Sequence, residues 1–331
     1  MEQTREQIRD LATKLGVRPD VLEKVARLLA VLRRIREDED IRERVALKGG
    51  TALNVFWLSL PRLSVDIDLN YIGEISASEL ANQRPEFEQR VTRACRLAGC
   101  RVVHSPSEHA GGKFRLRFAS LLGGEQNLEL DVSFVARVPL GELVEREAVL
   151  PGFEQERVLT YTLPELAAGK FTALMARVVA RDQYDAVRIL EHDPAILDTP
   201  EFRLAFTCFA AAAREDARGW SGQLAALDPK DVRGRLVPLL RAAQEPLAGD
   251  AEKLAAHLES RLVGVASRLV AWSPGEREFL NALMDHGELK PELLAARPEL
   301  QRRISAQPML RWKQINVRQH LGLPPMSDEA D

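Results

Sequence analysis

The sequence predicts an α+β protein in which a segment that mixes strands and helices precedes a mainly helical one. In the first part, short runs of alternating apolar and polar residues, typical of strands, stand between helical patterns. From Pro164 onward, apolar residues recur almost everywhere at helical spacing. Because 331 residues suffice for two domains, we expect a first domain with N-terminal helices at residues 1–150 and a mainly helical C-terminal domain at residues 151–331.

The first domain is expected to begin with two helices within residues 3–36, separated where Gly16 and Pro19 interrupt the helical pattern. The segments predicted next are a strand at 45–48, a helix at 51–59, a strand at 63–72 and a helix from about 78 to 98. Three strand-like runs follow them: Arg101–Ser105, Lys113–Ala119 and Asn127–Ala136. Breaks in the later helices are expected at Pro194–Pro200, Gly219–Gly222 and Ser273–Gly275.

The strand at 63–72 carries two carboxylates at alternate positions. Side chains at i and i+2 of a strand point the same way, so Asp66 and Asp68 share one face while Ile67 and Leu69 occupy the other. Two hard oxygen ligands held close together suit Mg²⁺, which proteins often hold by one or two carboxylates plus substrate phosphates. This face of the strand is therefore a candidate metal site.

A Gly49-Gly50 pair follows Lys48 and precedes the predicted helix. Glycine lets backbone N–H groups come close to an anion, and a helix N-terminus behind them favours negative charge. Either motif alone is more often an ordinary turn or a solvated strand edge. In this order and spacing, the two motifs together are typical of a nucleotidyl-transfer site.

This order of motifs resembles the polymerase-β-type nucleotidyltransferases, and longer segments resemble the AbiEii family. That family comprises the toxins of type IV toxin–antitoxin and abortive-infection systems, the MenT toxins among them. The resembling segments are Lys48–Leu53, Arg62–Leu69, Leu166–Lys170 with Arg177–Asp185, and Pro308–Lys313 with Asn316–Leu321. They are colinear from about residue 40 to 323; the departure is Gly169, where related sequences often carry an acidic residue.

The resemblance implies a polymerase-β-type catalytic domain, with a mixed sheet and flanking helices, followed by a helical domain. It implies an enzyme that uses Mg²⁺ and a nucleoside triphosphate to transfer a nucleoside monophosphate to an acceptor hydroxyl, the tRNA 3′ end. Translation and growth would stop until a cognate antitoxin neutralises the toxin. The implied catalytic residues are Asp66, Asp68, Asp131, Lys170 and Asp185, and the implied nucleotide-binding residues are Lys48, Gly49, Gly50, Thr51, Arg62, Ser64 and Lys170.

Asp131 is expected to complete a metal site with Asp66 and Asp68. Apolar and polar residues alternate strictly over residues 128–134, so Glu129 and Asp131 share one face. A two-metal nucleotidyl transfer usually has a third carboxylate on a neighbouring strand, near the attacking hydroxyl. Glu129 is the alternative third ligand, and an ordinary exposed strand face is the remaining interpretation.

Lys170 and Asp185 can serve the same site only if the helical segment between them is not straight. Fifteen residues of straight helix span roughly 22 Å, too far for both ends to reach one phosphate group. We therefore predict a break or bend near Val179–Asp182 and a return of Asp185 toward the site. Asp185 would then pair with an arginine or contact the base.

Two nearby residues keep alternative roles. Arg62 either neutralises phosphate charge or braces a metal-bound carboxylate. Ser64 either hydrogen-bonds the γ-phosphate or caps the turn after Pro61, and the resemblance implies that it can also accept a phosphoryl or nucleotidyl group when the toxin is silenced.

The net charge of −3 gives no overall electrostatic reason for binding nucleic acid. Any polyanion would meet a local patch, around Arg177, Arg181 and Arg188 or near the C-terminus, where Trp312 adds an aromatic surface. The C-terminal cations are Arg302, Arg303, Arg311, Lys313 and Arg318. For Arg302 and Arg303 an ordinary solvated helix face is an equal alternative.

Several classes of protein are excluded or disfavoured. The chain has no G-x-x-x-x-G-K-[ST] loop and no G-x-S-x-G turn, and its six histidines form no H-E-x-x-H motif. The three cysteines show no C-x-x-C spacing, which indicates a reducing compartment, and no apolar run approaches the ~20 residues of a membrane span. With a charged start and no apolar signal region, we expect a cytoplasmic protein.

Two other functions stay open at this point. One is a small-molecule or protein nucleotidyltransferase of the same fold, such as an antibiotic-modifying or AMPylating enzyme. The other is a nucleotide-binding toxin that acts through a partner without turnover.

Overall fold

The structure is a computed structural model that describes residues 3–73, 76–104, 111–241 and 244–324. At its centre lies a seven-stranded sheet with the strand order β3-β4-β5-β2-β1-β7-β6. The strands are β1 Val45–Lys48, β2 Asp66–Tyr71, β3 Arg101–His104, β4 Gly111–Ala119, β5 Glu125–Ser133, β6 Leu143–Glu147 and β7 Arg157–Tyr161.

The sheet is mixed. Strand β2 runs parallel to β5 and β1 parallel to β7, while the other neighbours are antiparallel. Because β2 and β5 are parallel neighbours, residues in register lie side by side, Asp66 next to Glu129 and Asp68 next to Asp131. The α+β class and the mixed sheet expected from the sequence are confirmed.

The helices flank the sheet and make up most of the chain after residue 162. They are α1 Arg5–Leu15, α2 Pro19–Glu37, α3 Gly49–Thr51, α4 Ala77–Leu97, α5 Leu163–Ala176, α6 Ala180–His192, α7 Pro200–Ala212, α8 Pro229–Asp231, α9 Ala251–Arg261, α10 Val265–Leu269, α11 Pro274–His286, α12 Pro298–Ser305 and α13 Pro308–His320. The helix breaks expected at Pro194–Pro200, Gly219–Gly222 and Ser273–Gly275 are confirmed.

The apolar face of the sheet is covered by α2, which contacts α4, β5 and β7. Leu32 and Ile35 of α2 lie beside Leu47 of β1 and Leu69 of β2, and all four side chains are buried. Burying a leucine or isoleucine completely contributes roughly 1.5–3 kcal/mol. Because strand side chains alternate, this packing leaves Asp66 and Asp68 on the opposite face.

Strand β2 is shorter than the expected strand at 63–72. The backbone N–H of Leu63 donates to the carbonyl of Leu239 at 2.8 Å, and Arg62 forms an isolated bridge with Leu240. These contacts tie residues 62–63 to the helical half and start the strand at Asp66. The helix expected at 51–59 begins earlier, at Gly49, and continues as a π-helical segment, Ala52–Trp57.

Strands β6 and β7 were not anticipated by the sequence analysis. In β6, the polar residues Glu145, Arg146 and Glu147 lie at an edge of the sheet, so the strand lacks a buried apolar stripe. Its partner β7 lies after residue 150 yet pairs with β1 inside the sheet. The sheet thus extends past residue 150, and the division into domains at 1–150 and 151–331 stays a prediction.

Three further expectations concern the cysteines, the end of strand β3 and membrane-spanning segments. Cys95, Cys100 and Cys208 are buried free thiols. The run expected to end at Ser105 is a strand up to His104, and Ser105 lies outside the described residues. Within the parts of the chain that the structure describes, no helix has the length and apolar character to cross a membrane.

Candidate active site

Asp68 stands between Lys48 and Asp131 in one row across the sheet. Lys48 of β1 is its register partner on one side, and Asp131 of β5 is its partner on the other. Directly paired residues point to the same face, with Cβ atoms about 5 Å apart. Asp66 is paired in the same way with Glu129. Sheet pairing therefore brings together three carboxylates that the sequence analysis singled out.

The carboxylates repel one another. Burial raises the pKa of Asp68, and the nearby charges of Asp66 and Asp131 raise it further, while Lys48 and Lys170 act in the opposite direction. Burial also lowers the pKa of Lys48, although Asp68 and Asp131 oppose that shift. A cation among these carboxylates would relieve the repulsion.

The Gly-Gly turn fits closely against this row. Gly49 has φ +71°, and a Cβ there would overlap the carboxylate of Asp68. A Cβ on Gly50 would lie 2.9 Å from both Arg62 Nη2 and Ser64 Oγ. Thr51 is fully buried, and its hydroxyl donates to the carbonyl of Asp66 at 2.6 Å, which fixes the turn to β2.

Arg62 and Asp185 form a buried, two-pronged ion pair. Arg62 Nε and Nη2 donate to the two carboxylate oxygens of Asp185 at 2.7 Å each. Asn54 Nδ2 also donates to Asp185, at 3.1 Å. Burial alone would raise the pKa of Asp185, but Arg62 and Lys170 outweigh it and hold the pKa well below its usual range. Arg62 thus braces Asp185, and the expected pairing of Asp185 with an arginine is confirmed.

Lys170 lies against two carboxylates of the following helix. Its Nζ is 2.8 Å from Asp182 Oδ1 and 3.0 Å from Asp185 Oδ2. The chain leaves the helical conformation at residues 177–179, between α5 and α6, which turns Asp182 and Asp185 back toward Lys170. The predicted return of Asp185 is confirmed, and the break lies slightly before the predicted position at Val179–Asp182.

The arginines of this region have different roles. Arg181 reaches β2, with Nη1 3.3 Å from Asp66 Oδ2, and Arg177 donates to Asp182 at 2.8 Å. Arg188 instead pairs with Glu191 and Glu245. Two of the three candidates for a basic patch therefore contact the acidic residues of the site.

Four of the five C-terminal cations are also engaged in internal contacts. Arg303 bonds to Gly141, Glu142 and Glu299. Arg311, Lys313 and Arg318 each donate to a backbone carbonyl, of Ser305, Ala213 and Pro324 respectively. Trp312 on the same helix is 64% exposed.

A cavity of about 560 Å³ opens between the sheet and the helical half. Its lining includes Lys48, Gly49, Gly50 and Asp68 from the sheet side and Lys170 from α5. Further lining residues, which the sequence analysis missed, are Asn70, Tyr161, Glu165, Phe209, Gln307 and Met309. Asn70 could have been found, because it lies two residues after Asp68 on the same strand face. Nothing local marks Gln307, which the fold brings to the cavity from near the C-terminus.

The three predicted metal ligands do not converge as they stand. Among the side chains the structure describes, no three His, Cys, Asp or Glu are arranged to hold a metal ion. Asp66 is turned toward Arg181, while Asp68 and Asp131 lie side by side on neighbouring strands. The donor set itself, three carboxylates on neighbouring strands, fits a hard divalent cation once Asp66 exchanges Arg181 for it. The metal set stays a prediction.

The sequence profile of a family described as nucleotidyl transferase AbiEii toxin, type IV TA system, matches residues 30–319. The chain belongs to this family. It is therefore a nucleotidyltransferase of the toxin class, and the resemblance found in the sequence is confirmed. No curated protein sequence matches the chain.

Among solved structures, this AbiEii family member is similar to MenT4, a nucleotidyltransferase toxin from Mycobacterium tuberculosis H37Rv. The similarity has a TM-score of 0.55 at 18% sequence identity, and covers 92% of this chain and 99% of that one. At this identity, the comparison establishes a shared fold over nearly the whole length.

Proposed function

We propose that this AbiEii family protein transfers a nucleoside monophosphate from a nucleoside triphosphate to the 3′-terminal hydroxyl of tRNA. The observation that carries the proposal is the cavity in which the Gly-Gly turn, Asp68 and Lys170 line the same space. These are the groups that phosphoryl and nucleotidyl transfer require: backbone N–H groups, a carboxylate beside the phosphates and a cation. Catalysis would be mostly positioning and charge neutralisation.

Mg²⁺ would be held by Asp66, Asp68 and Asp131, where it would supply charge for the phosphates and for the attacking oxygen. Lys48 and Lys170 would contact the phosphates, Lys170 by exchanging Asp182 for them. Gly49 and Gly50 would offer backbone N–H groups, with Ser64 beside Gly50. Asp185, fully buried behind Lys170, would act as a positioning residue rather than contact the base.

The exposed position of Trp312 is an argument for an acceptor that carries an unpaired base. This residue lies three residues after Met309, which lines the cavity, so it is one helical turn from the cavity wall. An exposed aromatic ring can stack on a base whatever its identity. Modified tRNA would no longer accept amino acids, so translation and growth in the cytoplasm would stop until a cognate antitoxin neutralises the enzyme.

The test is to incubate the purified protein with Mg²⁺, total tRNA and each α-³²P-labelled nucleoside triphosphate in turn. Label on tRNA that Asp68→Asn abolishes supports the proposal and identifies the nucleotide. Label on protein or on a small molecule instead would indicate a different acceptor. Growth arrest that persists in an Asp68→Asn variant still able to bind nucleotide would indicate a toxin that acts through a partner without turnover.

A further inference from the structure

The sheet face that carries Asp131 continues outward onto strands β4 and β3. Lys113 of β4 is the register partner of Asp131, and Arg115 and Arg117 follow Lys113 at alternate positions of the same strand. Arg101 of β3 is paired in turn with Arg117. Because paired and alternate residues of strands share a face, these four cations lie on the same face as the carboxylates. We call Arg101, Lys113, Arg115 and Arg117 the basic strip.

The side chains of the basic strip are exposed to solvent. The residues that alternate with them on β4, Phe114, Leu116 and Phe118, are buried on the opposite face. On β5, the residues paired with the strip are the polar Asp131, Glu129 and Asn127. The strip and these partners offer no apolar centre of the kind that protein interfaces bury.

The charge of the basic strip is only partly neutralised. Glu129 pairs with the lysine of the strip at 2.9 Å, and Glu125 pairs with Arg101 at 3.3 Å and with Arg117 at 3.9 Å. Arg115 forms no ion pair with any residue that the structure describes. These ion pairs thus involve two carboxylates for four cations. Exposed ion pairs contribute little to stability, so phosphate groups can replace the carboxylates.

The basic strip begins on the side of Asp68 that is turned away from the cavity. Lys48, which lines the cavity, flanks Asp68 on one side, and Asp131 flanks it on the other, with Lys113 beyond. No residue of the strip lines the cavity. Attacking and leaving oxygens lie roughly in line in such a transfer. An acceptor that arrives from the side of Asp131 would therefore stand opposite a pyrophosphate held by Lys48.

We propose that the basic strip binds the phosphate backbone of the acceptor RNA. This inference rests on the proposed function, since it takes tRNA as the acceptor. With a net charge of −3, the chain needs a local surface for a polyanion. Most cations of the two patches expected from the sequence contact internal acids or carbonyls instead. Trp312 would contact a base and the strip the backbone, so the two concern different parts of the RNA.

The experiment measures the affinity of the full-length protein for fluorescein-labelled total tRNA by fluorescence anisotropy, without nucleoside triphosphate and at about 50 to 200 mM NaCl. Each phosphate contact contributes about −0.7 to −0.9 to the slope of log affinity against log salt concentration. Arg115→Gln/Arg117→Gln removes two contacts, so we expect a slope shallower by about 1.4–1.8 and at least roughly tenfold weaker binding at about 100 mM NaCl.

The matched control is Arg233→Gln/Arg235→Gln. These arginines are also exposed, two residues apart and paired with carboxylates, Glu252 at 3.0 Å and Asp231 at 3.4 Å, but they lie in the helical half. The control removes the same charge and should keep the wild-type affinity and slope. Equal losses in the two double variants would reflect net charge alone and overturn the proposal, as would wild-type binding by Arg115→Gln/Arg117→Gln.

The binding data are independent of the transfer assay. Binding that depends on the strip, without label on tRNA, would support this RNA surface and remove the tRNA 3′ hydroxyl as the acceptor. Label on tRNA with a wild-type KM in Arg115→Gln/Arg117→Gln would keep the transferase and overturn the role of the strip. A wild-type protein that binds no tRNA at low salt would also overturn it, and would leave an acidic protein as the partner of this face.

Discussion

Arg62 and Asp185, 123 residues apart in sequence, form a completely buried ion pair that joins the sheet half to the helical half. Arg62 directly precedes the segment that leads into β2, and Asp185 lies in α6 and also holds Lys170. Because Asp185 accepts from Arg62, Asn54 and Lys170 at once, the position of Lys170 in the cavity depends on this pair.

Replacing Asp185 is expected to destabilise the whole protein. Asp185→Asn leaves Arg62 as a buried charge without its partner, a change that costs about 3–5 kcal/mol. The control is Asp198→Asn, which breaks an exposed pair with Arg268 and should cost about 0–1 kcal/mol. Urea unfolding at pH 7 measures both, and equal losses in the two variants would contradict a structural role for Asp185.

Asp131 and Glu129 occupy alternate positions of one strand face, and only Asp131 is paired with Asp68. Asp131→Asn is expected to reduce transfer on the order of 10²–10⁴-fold, as loss of a group that assists proton removal does. Glu129→Gln, which loses a salt bridge with Lys113 instead, should leave the rate nearly unchanged. The reverse result in labelling assays would assign the third carboxylate to Glu129.

Gly49 is expected to tolerate no side chain. Gly49→Ala places a Cβ against the carboxylate of Asp68, and misplacing a reacting group by about 1 Å can cost about 100-fold in rate. Gly264 has a similar φ of +77° with nothing near its missing Cβ, so Gly264→Ala carries the backbone strain alone. We expect Gly264→Ala to lose some stability and keep its activity. Similar activity losses in both would attribute the effect to strain.

Stability should depend on pH through Glu165, a buried residue of the cavity lining. Burial raises its pKa to about 7, although the backbone N–H groups of Gly141 and Leu140 and the charge of Arg303 oppose the shift. Between pH ~4.3, the usual glutamate value, and the folded value, the folded protein holds a proton that the unfolded chain has released. The contribution of Glu165 to the free energy of unfolding therefore falls as the pH rises through this window.

Over the whole window the effect is about 4 kcal/mol, from about 1.4 kcal/mol for each pKa unit. Glu165→Gln removes the titrating group, so its stability relative to the wild type should increase from pH 4.5 to pH 7.5. Urea unfolding across this range checks the prediction. Parallel profiles for the two proteins would show that Glu165 titrates normally.

Trp312 is expected to matter for the acceptor and not for the nucleotide. Loss of one stacked base costs about 1–3 kcal/mol, so Trp312→Ala should raise the KM for tRNA by roughly 5- to 150-fold. Trp312→Phe should retain most of the affinity, and nucleotide binding should stay unchanged in both. An equal loss of nucleotide affinity in Trp312→Ala would show that the ring only supports the cavity.

The sequence by itself determined the features that are local in the chain. Alternation placed Asp66 and Asp68 on one strand face, and the Gly49-Gly50 pair indicated a turn. In the structure, neighbouring side chains leave no room for a Cβ at either glycine. Colinear motifs also identified the family that the profile match confirmed. These features follow from the spacing of residues within a few turns or strand positions, which the sequence contains directly.

Only the tertiary structure decided which distant residues meet. Strand pairing set Asp131 and not Glu129 beside Asp68, and no local pattern fixes the register between residues 63 positions apart in the sequence. Edge strand β6 escaped prediction because its polar side chains need no buried face. Gln307 reaches the cavity, and Asp185 reaches Arg62, through packing of helices whose relative positions depend on the whole core.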